Sequence, residues 1–170
     1  MKKLLIVMLA GLFVLAGCQN NEDQTFKEKL CVLVSHIDDS CDEAYHFDAD
    51  VPLVFYKNEK KALNFAVLNE DGNKALKTAG FPKAFQSIES GKSFVWDESN
   101  VEEPNVSVVF GLADDSVHGI VVDSEGGIQA NRIRIKENLS LWYVVKKGEE
   151  MNRPIKVKAF DQNGDVIEES

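Results

Sequence analysis

Apolar positions change their period three times along this chain. Leu4 to Leu15 is an almost unbroken apolar run, preceded by Met1-Lys2-Lys3 and closed by Leu15-Ala16-Gly17-Cys18. It falls short of the roughly 20 residues that a helix needs to cross the hydrocarbon of a bilayer. Gln19 to Gln24 is polar and aperiodic, as suits a short tether. Thr25-Phe26-Lys27-Glu28 then matches a capping box, and Phe26, Leu30, Leu33, Val34 and Ile37 share one helical face. That spacing predicts an amphipathic helix over about 26–37, ended by Asp38-Asp39-Ser40.

Beyond it the period becomes extended. Val51 to Lys57 and Leu63 to Leu68 read as strands joined through Asn58-Glu59-Lys60, and Asp71-Gly72 marks a turn. Gly80 to Gly91 permits a short helix or a loop, and Phe94-Val95-Trp96 is brief and apolar. From Asn105 the pattern is a ladder: Val106–Leu112, Val117–Asp123, Ile128–Lys136, Leu139–Lys146 and Ile155–Phe160, with Val166-Ile167 returning after the Asn163-Gly164 turn. Ile128 and Ala130 share a parity that Ile133 and Ile135 break, which predicts a bulge or break near Asn131. The expected fold is α+β: an N-terminal amphipathic helix packed on antiparallel β-structure, with a β-sandwich-like C-terminal half. Residues 25–170 would form one domain, with 91–104 as a possible sub-boundary.

The first eighteen residues specify an address. A basic start, a short apolar run and a small-residue exit make a secretory leader over 1–17. Leu15-Ala16-Gly17-Cys18 is similar to the bacterial lipobox, in which the cysteine thiol takes a diacylglycerol after cleavage on its N-terminal side. Cleavage there would leave 153 of 170 residues and move the formal charge from −9 to −11. The acyl chains on Cys18, each buried CH₂ contributing about 0.8 kcal/mol, would hold the protein to the outer face of the cytoplasmic membrane. With 28 acidic against 19 basic side chains, nothing supplies the clustered cations of a nucleic-acid binder.

Leu53-Val54-Phe55-Tyr56, Val109-Phe110-Gly111, Leu141-Trp142-Tyr143-Val144 and Ile155 to Gly164 lend the mature chain a likeness. It resembles the small lipoproteins of spore-forming Gram-positive (Bacillus-type) bacteria, a group to which no activity is attached. The resemblance implies an amphipathic helix followed by a β-rich half. It runs through core and turn residues and transfers no active site.

Candidate chemistry is sparse. Cys31 and Cys41 are a disulfide candidate in an exported chain, provided that residues 38–40 fold back along the helix; two separately buried thiols are the alternative. Cys31, His36, Cys41 and His46 recur every five residues, but that step turns about 140° on a helix and would not gather ligands on one metal. Asp38, Asp39, Asp42, Glu43, Asp48 and Asp50 read as a solvated acidic surface rather than a Ca²⁺ loop. Asp161 to Asp165 reads as a turn. No nucleophile elbow, zincin motif or phosphate loop is present, and His118 reads as structural. Trp96, Trp142 and Tyr143 read as core aromatics, with a sugar- or peptide-binding groove as the alternative.

No catalytic or metal-ligating residue and no cofactor is therefore assigned. The expectation is a membrane-tethered, extracytoplasmic binding protein of the cell envelope, its partner an envelope protein, peptide or glycan. The rivals are a hydrolase or redox enzyme assembled from scattered residues, and a Ca²⁺- or metal-dependent module.

Overall fold

Strands whose apolar side chains point to both faces have to be covered on both, and this requirement orders the layers of the molecule. The computed structural model describes residues 21–123, 126–148, 151 and 153–169, with side chains from Phe26 onward. Two strands dominate it, β6 (Val106–Ala113) and β10 (Leu139–Lys147), paired antiparallel. Side chains alternate across a strand. Val106, Val108, Phe110, Leu112, Leu139, Leu141 and Tyr143 enter one apolar cluster, while Val109, Ala113, Trp142 and Val144 enter another. The sheet that holds these strands is an internal layer, in the order β5 (Phe94–Val101), β6, β10, β9 (Asn131–Lys136).

A second sheet, β1 (Cys41–Asp48), β2 (Leu53–Asn58), β3 (Leu63–Leu68) and β4 (Ala75–Phe81), shares the first cluster through Leu53, Phe55, Leu63, Phe65 and Val67. The short helix α2 (Ala84–Glu89) adds Ala84 and Phe85 to it. The opposite parity of the second sheet, Val54, Tyr56, Ala66 and Leu68, packs with Leu30 and Val34 of helix α1 (Asn21–Val34). A third sheet, in the order β12 (Val166–Glu169), β11 (Lys156–Phe160), β7 (Gly119–Asp123), β8 (Ile128–Gln129), closes the other cluster with Ile120, Val122, Val157 and Ala159. Every pairing is antiparallel, so the protein is mostly antiparallel β-sheet with two helices among the described residues, broadly α+β.

The expected break near Asn131 is present, and it does more than bulge a strand. Ala130 N–H donates to the Ile120 carbonyl at 2.9 Å, which ends β8 in the third sheet; one residue later β9 begins in the internal sheet. The parity change is thus a change of sheet. In β11, Val157 and Ala159 are buried between the more exposed Lys156 and Lys158, as their alternation predicts.

Several expectations need correction. Helix α1 runs through Thr25 instead of starting there, and takes in Asn21 to Gln24 of the tether stretch; its α-helical turns end at Val34, with 35–37 as a turn. Phe26 and Ile37, placed on the packed face by the spacing, are 50% and 42% exposed. The buried stripe is narrower, Leu30 and Val34. The acidic stretch is not merely solvated surface, because Cys41–Asp48 is an edge strand. Ala44 is buried toward α1, Tyr45 packs into the opposite cluster, and Lys57 Nζ of the neighbouring β2 lies 2.8 Å from Asp42 and 3.4 Å from Glu43. Ala75–Phe81, which carried no strand signal, forms β4 against β3.

Asp38 serves the fold as well. It accepts from the Tyr56 hydroxyl at 2.6 Å and from both the backbone N–H and the hydroxyl of Ser40. Partial burial works to raise its pKa, but the Ser40 and Tyr56 hydrogen bonds outweigh this and hold the carboxyl below its ordinary value. A depressed folded pKa gives stability that is complete above the unfolded value, about 3.9, and is lost as pH falls through the folded one. Urea midpoints measured from pH 6 to pH 2 should therefore decline more steeply in the native chain than in Tyr56→Phe. Parallel acid limbs would show that the contact contributes nothing.

Candidate functional site

Chemistry-bearing side chains collect in four places among the described residues. The first is the junction between β1 and β10. Tyr143 O–H donates to Asp48 Oδ2 at 2.8 Å, which leaves its oxygen to accept from His46 Nε2–H at 3.1 Å. Burial lowers the His46 pKa, with Asp48 opposing, so the imidazole is neutral at pH 7. Burial, then the Asp48 hydrogen bond, raises the Tyr143 pKa above its usual value. A phenol that holds its proton this firmly is not ionised near neutrality. The chain His46–Tyr143–Asp48 latches an edge strand onto the internal sheet.

The aromatic groove does not form. Trp142 and Tyr143 are adjacent on β10 and point into opposite clusters, the first fully buried against Phe94 and the second beside Phe55. Trp96 alone of the three lines an open depression, of about 530 Å³, with Glu98, Arg153, Pro154 and Ile155. Arg153 is ion-paired to Glu98 there at 2.9 Å. A more apolar cleft of about 300 Å³ opens between the second sheet and the β5–β6 turn, lined by Val51, Pro52, Leu68, Leu76, Pro104 and Lys147 among others.

The fourth place is a cleft of about 430 Å³ lined by Asp115, His118, Arg132, Arg134 and Ser140. It is built at the change of sheet. Ile133 and Ile135 of β9 turn toward the core, so Arg132 and Arg134 share the other face. Register sets Arg134 opposite Ser140, and Arg132 opposite Trp142. The β6–β7 connection brings Asp115 and His118 across. Asp115 Oδ1 is ion-paired to Arg134 Nη1 and lies 3.8 Å from Arg132 Nη2, while Arg132 Nη1 donates to the His118 carbonyl at 3.3 Å. Residues of the Ser, His and Asp types thus meet in one cleft, but they form no proton relay. Among the described residues no hydrogen bond joins Ser140 to His118 or His118 to Asp115, and Asp115 is committed to the two arginines. The cleft sets two guanidinium groups against one carboxylate.

Cys31 and Cys41 form a disulfide, with Cα atoms 5.5 Å apart. It ties the C-terminal part of α1 to the start of β1, closing a short loop whose constraint on the unfolded chain contributes roughly 2–3 kcal/mol. The bridge consumes both cysteines of the five-residue repeat. Among the described residues no three His, Cys, Asp or Glu side chains converge as metal ligands. Asp161 Oδ1 accepts from the N–H groups of Asn163 and Asp165, so that carboxylate closes a turn. Cys18 and the leader expected over residues 1–17 lie outside the described residues. Among those described, no helix is long and apolar enough to cross a membrane, which leaves β-barrels unaddressed.

Of the cleft residues, sequence reasoning singled out only His118. The signal for the others was present: two of the three arginines of an acidic chain stand two residues apart, the spacing that aligns side chains on one face of a strand. Compared with known protein families, with curated proteins and with solved structures, the chain finds no match.

Proposed function

We propose that the chain is an exported, lipid-anchored binding protein of the cell envelope. Residues 1–17 act as the leader, Cys18 takes the lipid, and the remainder is presented on the outer face of the cytoplasmic membrane, its β5–β12 half as a two-sheet sandwich. The observation that supports this reading is the Cys31–Cys41 disulfide. Such bridges persist outside the reducing cytosol and are rare within it, and export is what the leader and Leu15-Ala16-Gly17-Cys18 specify. A binding role is supported by clefts that lie at sheet margins and by a histidine, His46, held in a structural latch rather than beside a nucleophile.

The test is metabolic labelling of the full chain in a lipoprotein-processing bacterial host with radiolabelled palmitate, followed by membrane fractionation. Label is expected on the native protein in the membrane fraction. It should disappear from Cys18→Ser, which is retained as the longer, unprocessed chain. An unlabelled native protein recovered in the soluble cytosol would overturn the reading.

A further inference from the structure

We propose that the cleft at Arg132 and Arg134 is a binding site for a phosphoryl group, a phosphomonoester or phosphodiester, and that Asp115 occupies it as a displaceable internal anion. The proposal gives the binding role above its ligand chemistry and rests on that role, though not on lipidation of Cys18.

The protein carries a formal charge of −9, yet it concentrates two arginines on adjacent outward positions of one edge strand. Arginine is the cation suited to planar, forked recognition of oxyanions, and it is weakly hydrated enough to give up water on binding. Both guanidinium groups converge on a single oxygen, Asp115 Oδ1. That convergence marks where an oxyanion sits. Arg132 is also held in place: its side chain is 30% exposed, and Nη1 is fixed by the His118 carbonyl. A preorganised guanidinium loses less freedom when a ligand arrives.

One carboxylate against two guanidinium groups leaves the cleft with a net positive charge, which a phosphoryl anion compensates. The buried Ser140 and the exposed His118 add side chains able to donate hydrogen bonds to its remaining oxygens. A space of about 430 Å³ is within the range of small-ligand sites and exceeds what a lone ion needs, so a polyol or sugar carrying the phosphate fits. Asp115 stands on the exposed Asp114-Asp115-Ser116 turn, and its side chain is 42% exposed. An incoming phosphate can therefore take over its arginines without disturbing the core.

The experiment uses the full chain in zwitterionic detergent. Titration calorimetry follows inorganic phosphate, pyrophosphate and glycerol 1-phosphate, with sodium acetate as the carboxylate control. A parallel arm titrates the protein against micelles doped with phosphatidylglycerol. The expected result is phosphoryl binding that weakens with salt. It should fall about tenfold or more in Arg132→Gln and Arg134→Gln, as loss of a charge-assisted contact implies. It should rise severalfold in Asp115→Asn, which frees both arginines without adding a competing charge. Binding confined to doped micelles, with the same dependence on Arg134, assigns the phosphate to a lipid headgroup; binding of glycerol 1-phosphate assigns a soluble or polymeric source. Absence of phosphoryl binding, acetate binding of equal strength, or affinities unchanged in the arginine variants would each overturn the proposal. Arg134 is more than half exposed, so near-UV circular dichroism of its variant should match the native protein and exclude misfolding as the cause. Palmitate labelling is insensitive to all three substitutions, which separates failure here from failure of the envelope reading.

Discussion

Replacing Gly111 with alanine is expected to cost about 4 kcal/mol or more, enough to consume most of the stability of an ordinary domain. Gly111 lies on β6, one of the two central strands of the internal sheet, between Trp96 on β5 and Trp142 on β10. A Cβ at this position would lie 1.9 Å from the Val95 carbonyl oxygen and 2.9 Å from the Trp96 Cα. Both neighbours are backbone, so neither can rotate away as a side chain would. Relief requires β5 to lift, and β5 is registered with β6 at every residue from Phe94 to Val101. Gly119→Ala is the control, because its nearest neighbours would be 3.8 Å and 4.0 Å away, ordinary contact distances. That variant should stay within about 1 kcal/mol of the native chain. Urea denaturation of the pair decides the matter. Equal midpoints would mean that β5 does not approach β6 as closely as described.

The same strand shows which parts of the fold were legible in the sequence. Val106–Leu112 and Leu139–Lys146 read as strands because mostly apolar runs need cover on two faces, and the structure supplies it, extending them to Ala113 and Lys147. The sequence also marked the parity change at Asn131, though not that β8 and β9 enter different sheets; that depends on the distant Ile120 carbonyl. Strand β1 stayed hidden because Asp42, Glu43 and Asp48 flank only four informative residues, Ala44 to Phe47, and pairing irregularities at Cys41/Glu43 and Ala44/His46 blur its alternation. Its charges are answered by Lys57 from the next strand, a partner that no local window contains. The cleft was half legible for the same reason. Arg132 and Arg134 are neighbours in sequence, whereas Asp115 and His118 reach them only through the packing of the internal and third sheets. A groove using both Trp142 and Tyr143 was inconsistent with the period of two that their own strand predicts.

That alternation makes the two aromatic neighbours respond by different amounts to the same substitution. Trp142 is fully buried, stacked on Phe94 with ring centroids 5.3 Å apart, and it fills the space between the internal and third sheets beside Val109, Val122 and Val157. Its Nε1–H has no hydrogen-bond partner in the structure. Truncation to alanine should cost about 3–5 kcal/mol, the usual loss for a large core aromatic. Trp142→Phe keeps the stack and removes a buried donor whose unmet desolvation costs about 1–3 kcal/mol. That gain offsets much of the smaller cavity, so the net loss should be about 1 kcal/mol or less. Tyr143→Phe is chemically the smaller change, yet it deletes the hydroxyl that binds Asp48 and His46 and leaves both part-buried groups short of a partner. Its expected cost is about 1–3 kcal/mol. Chemical unfolding followed by far-UV circular dichroism, which does not depend on the indole being removed, should rank the variants Trp142→Phe, Tyr143→Phe, Trp142→Ala in order of increasing damage. If Tyr143→Phe proves the mildest, the latch between β1 and β10 contributes no stability. If Trp142→Phe is instead as damaging as Trp142→Ala, the indole nitrogen has a partner, and the contact between the internal and third sheets is not the dry apolar one described.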